Sequence, residues 1–193
     1  MTTANKITIL RILLVPFFVV QLLYYFSGSN ELDRLLAMLA FTVAAILDGV
    51  DGYIARRYNQ KSELGTILDP MADKLLLVSG LGLLSLYEQH LTPKIPTWLT
   101  AVVFSRDIIL MLGMGVIYYT CGKIKVVPRL VGKVATCAQM VTVGWAMLKW
   151  DALYLHHVAL LAAIATAISG LLYLRDGIKQ LSQSPSSLPD RSA

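Results

Sequence analysis

The chain has 193 residues, 56% of them hydrophobic and 15% charged, with a mean hydropathy of +0.63 and a net charge of +5. That balance lies outside the range of soluble globular domains and excludes one; the solvent for most of this surface is lipid. Cys121 and Cys137 fall in or beside apolar segments without metal-like spacing, which excludes a disulfide scaffold and makes them reduced packing residues.

A helix that spans a bilayer needs about 20 mostly apolar residues. Six segments qualify in chain order: 7–28, 35–51, 69–88, 96–120, 130–149 and 152–174. The expectation is an all-α polytopic membrane protein with six transmembrane helices. The first segment is longer than the apolar core of a signal peptide and lacks a small-residue cleavage site, so it is expected to stay in the mature chain. No Pro/Gly/Ser-rich linker interrupts the pattern, which gives one membrane domain over 1–181 and a disordered tail, "SQSPSSLPDRSA", over 182–193.

Cytoplasmic flanks of spanning helices retain Lys and Arg. Threading the six spans puts Lys6, Arg11, Arg56, Arg57, Lys61, Lys74, Lys123, Lys125, Arg129, Lys133, Arg175, Lys179 and Arg191 on one face, and Arg34, Lys94 and Lys149 on the other. Both termini are therefore expected in the cytoplasm, and the net positive charge reads as topology and attraction to anionic lipid, not as a nucleic-acid surface. His90, His156 and His157 fall toward the opposite face as interfacial or packing residues.

The connection between the second and third spans breaks the pattern. "DGVDGYIARRYNQKSELGTILDPMADK", residues 48–74, places Asp48 and Asp51 three apart and Asp69 and Asp73 four apart, so each pair shares one face if it lies on a helix. Four carboxylates at helix ends beside hydrocarbon are costly unless cations hold them. Hard oxygen ligands with no His or Cys nearby select Mg²⁺ or Mn²⁺, and four carboxylates from two facing helices suit a pair of ions of the kind that handle phosphates. Gly52, Ala55 and Gly65 remove side-chain bulk where a ligand would approach the backbone. Small residues also permit close helix packing, but their register with the aspartates favours a ligand. Arg56 can grip a diphosphate with its planar fork, while Arg57 and Lys61 mark the cytoplasmic boundary.

With those residues in place, the sequence resembles the CDP-alcohol phosphatidyltransferase family, whose signature D-x2-D-G-x2-A-R-x8-G-x3-D-x3-D is matched at Asp48, Asp51, Gly52, Ala55, Arg56, Gly65, Asp69 and Asp73. The resemblance covers about residues 5–175. It implies a polar active site at the cytoplasmic membrane face, commonly in a homodimer, with two metal ions held by Asp48, Asp51, Asp69 and Asp73 across the diphosphate of a CDP-lipid. Cytidine would pack near Gly52, Ala55 and Gly65, Arg56 would steady the phosphates, and Asp73 would act as general base toward the acceptor hydroxyl, with release of CMP.

The acceptor is read from three further stretches. "NKITILR" at 5–11 resembles the N-x2-T-x2-R pattern of the phosphatidylglycerophosphate synthase and cardiolipin synthase branch, so Asn5, Thr8 and Arg11 would meet the nucleotide or phosphates; capping of the first helix is the other use open to Asn5 and Thr8. "GKVATCAQMV" at 132–141 resembles the G-K-x-K-T-x-x-Q stretch of phosphatidylglycerophosphate synthases, with Ala135 where a second lysine is usual. Arg106-Asp107 stands where those synthases carry Arg-Glu and resembles eukaryotic-type cardiolipin synthases instead. A dianionic phosphate on glycerol 3-phosphate wants at least two basic partners, which Lys123, Lys125, Arg129 and Lys133 can supply; Arg106 and Asp107 are also read as acceptor-binding residues. Mid-span, Arg106 and Asp107 either line a cavity or form an internal ion pair. The leading reading is transfer of a phosphatidyl group from CDP-diacylglycerol to glycerol 3-phosphate, and phosphatidylglycerol as acceptor, giving cardiolipin, is the alternative. A small transporter is the alternative of another class, against which stands the lack of internal repeats or paired broken helices. The expected setting is the cell (inner) membrane.

Overall fold

A computed structural model describes residues 3–28, 30–57, 63–87, 94–121 and 130–182; the expected tail from 183 onward lies outside the described residues. Its elements are six α-helices: α1 (Thr3–Gly28), α2 (Glu31–Arg57), α3 (Glu63–Leu86), α4 (Thr97–Cys121), α5 (Leu130–Met147) and α6 (Ala152–Ser182). Each of the six helices corresponds to one expected apolar segment. α2 and α3 run well beyond their apolar parts, and both aspartate pairs are therefore helical.

Four helices are long and apolar enough to cross a membrane, over Ile9–Gly28, Thr97–Ile117, Leu130–Met147 and Ala152–Leu181. Six spans were expected, and among the described residues α2 and α3 do not reach that standard. The described side chains of α2 end at Val50 and those of α3 begin at Ala72, so these two expected spans are covered only in part. Large apolar side chains nevertheless stand exposed on the helices, among them Leu13 at 62%, Met111 at 72% and Leu171 at 67%, as suits an integral membrane protein. Cys137, expected to pack, is exposed on α5.

The chain forms two compact units, Met1–Pro96 with Met140–His156 and Thr97–Gln139 with His157–Ala193. In the first, α1 packs along α2 and α3. Its core repeats at heptad-like spacing, through Val15, Phe18, Leu22 and Tyr25 on α1, Ala37, Phe41 and Ala44 on α2, and Leu77, Leu81 and Leu84 on α3. Alanines on α2 let α1 approach closely, so that the Phe18 and Phe41 rings meet at 5.6 Å. A Cβ on Gly80 of α3 would lie 3.2 Å from Val143 Cγ1, which explains the missing side chain.

One end of this unit is pinned by polar and aromatic groups. Asn30 caps α2, its Oδ1 accepting from the Leu32 N–H at 3.1 Å, and Asp151 Oδ1 caps α6 through the Leu153 N–H at 3.0 Å. Arg34 donates to the terminal carbonyl of Met147 on α5 and, through Nε, to Glu31 at 2.6 Å. Lys149, in a left-handed turn (φ 55°), places Nζ 2.5 Å from Glu31. The Lys149 bond, then Arg34, holds the Glu31 carboxyl below its ordinary pKa. Trp145 and Trp150 meet edge-on at 4.9 Å beside Tyr154, in the manner of an interfacial aromatic belt. The other end, where α1 begins, α2 ends and α3 begins, carries the charged motif.

In the second unit α4, the first part of α5 and most of α6 supply Val103, Ile117, Ala135, Ala159 and Ala162 as the core. Buried polar groups are paired within it: Gln139 Nε2 donates to Thr166 Oγ1 at 2.8 Å, and that hydroxyl donates to the Ala162 carbonyl at 2.6 Å.

Candidate active site

The packing stripes of α1, α2 and α3 each end in a charge. Continuing the 15, 18, 22, 25 spacing of α1 back one step reaches Arg11; extending 37, 41, 44 on α2 reaches Asp48; and one step before 77, 81, 84 on α3 stands Asp73. Arg11 is fully buried, whereas the side chains of Asp48 and Asp73 remain 36% and 29% exposed. One guanidinium nitrogen, Nη1, donates both to Asp48 Oδ1 and, at 2.5 Å, to Asp73 Oδ1. A buried guanidinium is strongly disfavoured without anionic partners, and here two carboxylates from different helices supply them.

The sequence reading assigned Arg11 to the nucleotide or phosphates. In the structure its guanidinium meets the aspartates, and the signal for this contact is its place in the buried stripe of α1. Asp51, Gly52, Ala55 and Arg56 lie on α2, Gly65 and Asp69 on α3, and Asn5 and Thr8 on α1, but their side chains lie outside the described residues. Among the described residues no cluster of three or more His, Cys, Asp or Glu is gathered as for a metal. Asp48 and Asp73 still fit a hard divalent cation: they are oxygen donors from two helices, converging on one positive charge and partly exposed.

The candidate acceptor residues divide. Lys123, Lys125 and Arg129 lie outside the described residues, and Lys133 is exposed on α5. Arg106 and Asp107 on α4 form the internal ion pair, Nη1 to Oδ1 at 2.7 Å, and Arg106 Nη2 donates to Ser169 Oγ at 3.0 Å. Tyr173 offers its ring to the Arg106 guanidinium at 5.9 Å. Gly170 leaves room for the arginine stem, since a Cβ there would lie 3.1 Å from Arg106 Cγ. Arg106 also lines a mainly apolar cavity of about 420 Å³ between α4 and α6, with Val102, Ile109, Ala167 and Leu171. The two uses left open for Arg106, ion pair and cavity lining, are thus combined. Ser169 and Tyr173 were missed; their signal is the recurrence of Thr166, Ser169 and Tyr173 on one side of the apolar stretch of α6 between His157 and Arg175.

The model of the CDP-alcohol phosphatidyltransferase family matches residues 1–169. A probable phosphatidylglycerophosphate synthase of Mycobacterium tuberculosis is 32% identical over 182 residues, covering 92% of this chain and 82% of the relative. The CDP-diacylglycerol--glycerol-3-phosphate 3-phosphatidyltransferase of Salmonella typhimurium is 32% identical over 172 residues, 87% of this chain and 90% of that one. Its Bacillus subtilis namesake is 32% identical over 148 residues, 72% of this chain and 73% of its own. The signature, the convergence of Asp48 with Asp73 and this similarity along most of the chain lead to one conclusion: the chain belongs to the CDP-alcohol phosphatidyltransferase family.

Proposed function

We propose that this protein is an enzyme of phospholipid biosynthesis that transfers a phosphatidyl group from CDP-diacylglycerol to glycerol 3-phosphate, giving phosphatidylglycerophosphate and CMP. The observation that carries the reading is the convergence of two signature carboxylates, Asp48 and Asp73, at the charged end of three packed helices. Relatives named for this reaction, similar over most of their length, support the choice of substrates.

Asp48, Asp51, Asp69 and Asp73 are assigned to hold two divalent cations, Mg²⁺ or Mn²⁺. When bound, the ions neutralise charge on the diphosphate and on the attacking and leaving oxygens. Arg56, Asn5 and Thr8 hold the CDP-lipid phosphates and nucleotide, and Gly52, Ala55 and Gly65 leave space for cytidine. Asp73 accepts the proton of the glycerol 3-phosphate hydroxyl. That oxygen bonds to the phosphatidyl phosphorus as the bond to CMP breaks, and CMP departs with the electron pair. Lys123, Lys125, Arg129 and Lys133, with Arg106 and Asp107, are assigned to the acceptor; the exposed ammonium of Lys133 suits a phosphate arriving from water. All six helices cross the cell (inner) membrane in this reading, with the site and both termini cytoplasmic and the protein a homodimer.

Purified protein supplied with CDP-diacylglycerol and, separately, glycerol 3-phosphate, phosphatidylglycerol and inositol phosphate tests the assignment by mass spectrometry of the lipid formed. Phosphatidylglycerophosphate from the first acceptor is expected. Cardiolipin from the second, with no reaction of the first, would overturn it and favour the reading that Arg106-Asp107 suggests.

A further inference from the structure

Two of the four carboxylates assigned to divalent ions, Asp48 and Asp73, are held by Arg11 in the folded chain. Arginine keeps its charge at any physiological pH, so this is a permanent internal cation. Its position is fixed by the core, because Arg11 falls in the same buried stripe as Val15, Phe18 and Leu22 and is 0% exposed. Without a cation, aspartates brought together from α2 and α3 would repel and part the helices that carry them. One guanidinium nitrogen serving both carboxylates removes that repulsion and ties α1 to α2 and α3.

The same contact opposes metal binding. A divalent ion has twice the charge and coordinates oxygen directly, at about 2.0–2.1 Å for Mg²⁺. Each Oδ1 that accepts from Nη1 of Arg11 has one of its lone pairs taken, and a fixed positive charge beside the site disfavours a second one.

We propose that Arg11 is an exchange cation: it closes the metal-free site by pairing Asp48 with Asp73, and loading of divalent ions takes both carboxylates over from it. The proposal rests on the metal assignment above. It makes Arg11 a setting for metal affinity, a role distinct from contact with nucleotide or phosphate.

The test uses the full chain in detergent. Mn²⁺ binding is measured by the loss of the free-ion EPR signal, and thermal stability is followed in EDTA and in Mn²⁺. Arg11→Met should bind Mn²⁺ at least about tenfold more tightly, the factor carried by one pKa unit's worth of charge interaction, while melting earlier in EDTA and gaining more on metal addition. Arg11→Lys, which keeps a charge but not the fork, should fall between. If Arg11→Met does not fold, the wild type decides: in protein labelled with ¹⁵N-arginine, the Arg11 Nε–H resonance, assigned by its loss in Arg11→Lys, should move with added Mg²⁺ and saturate with the site. A resonance that saturating Mg²⁺ leaves in place, or unchanged or weaker Mn²⁺ binding in folded Arg11→Met, overturns the proposal while leaving the metal assignment standing. No ion binding to the wild type would overturn both.

Discussion

Asp48 and Asp73 share one arginine, but the proposed chemistry gives them different work. If Asp48 holds metal while Asp73 also takes the acceptor proton, Asp73→Asn should keep CDP-lipid binding better than Asp48→Asn, and both should lose turnover. Loss of a positioned base costs about 10²–10⁴-fold, read as CMP release; near-normal turnover of Asp73→Asn would remove it from that role. Lys133→Ala addresses the acceptor. A hydrogen bond to a charged group contributes about 1.5–3 kcal/mol, so the apparent KM for glycerol 3-phosphate should rise on the order of tenfold or more, with that for CDP-diacylglycerol nearly unchanged. The aspartates were legible in the sequence because their intervals of three and four residues match helix faces. The partnership of Arg11 with Asp48 and Asp73 was not, because it joins three helices at separations of 37 and 62 residues. Its only local trace is a charge in a run of apolar stripe positions.

At the level of elements, small residues decide how closely the helices approach. Gly80 faces Val143 and Phe18 so closely that a Cβ alone would lie 3.2 Å from Val143 Cγ1, so Gly80→Val should overpack this contact. Such changes cost about 1–3 kcal/mol, visible as a lowered thermal midpoint in detergent, and an unchanged midpoint would contradict the packing described. Helix positions were legible from apolar runs, yet the ends were not. α2 reaches Arg57 and α3 starts at Glu63, far outside their apolar cores, because intrahelical hydrogen bonds continue through charged residues that hydropathy excludes. Caps were equally hidden: Asn30 and Asp151 act through single side-chain contacts, and Lys149 adopts the left-handed turn more usual for glycine.

Over the whole molecule, six helices are present, and four stretches among the described residues are apolar enough to cross a bilayer. The apolar runs of α2 and α3 adjoin the residues assigned to the site; in the proposed topology the charged ends stand in water at the cytoplasmic face. Cysteines introduced singly at Ser29 and Gln60, in a chain lacking Cys121 and Cys137, discriminate the cases. Six crossings predict that an impermeant thiol reagent added outside cells labels position 29 but not 60, whereas α2 and α3 lying along the membrane would leave both on the outer side. The central claim, that the charged end of three packed helices is a metal-dependent site of phosphatidyl transfer, is tested most directly by CMP release. Purified protein given CDP-diacylglycerol and glycerol 3-phosphate should release no CMP in EDTA and regain turnover on addition of Mg²⁺ or Mn²⁺; full turnover in metal-free buffer would contradict the account.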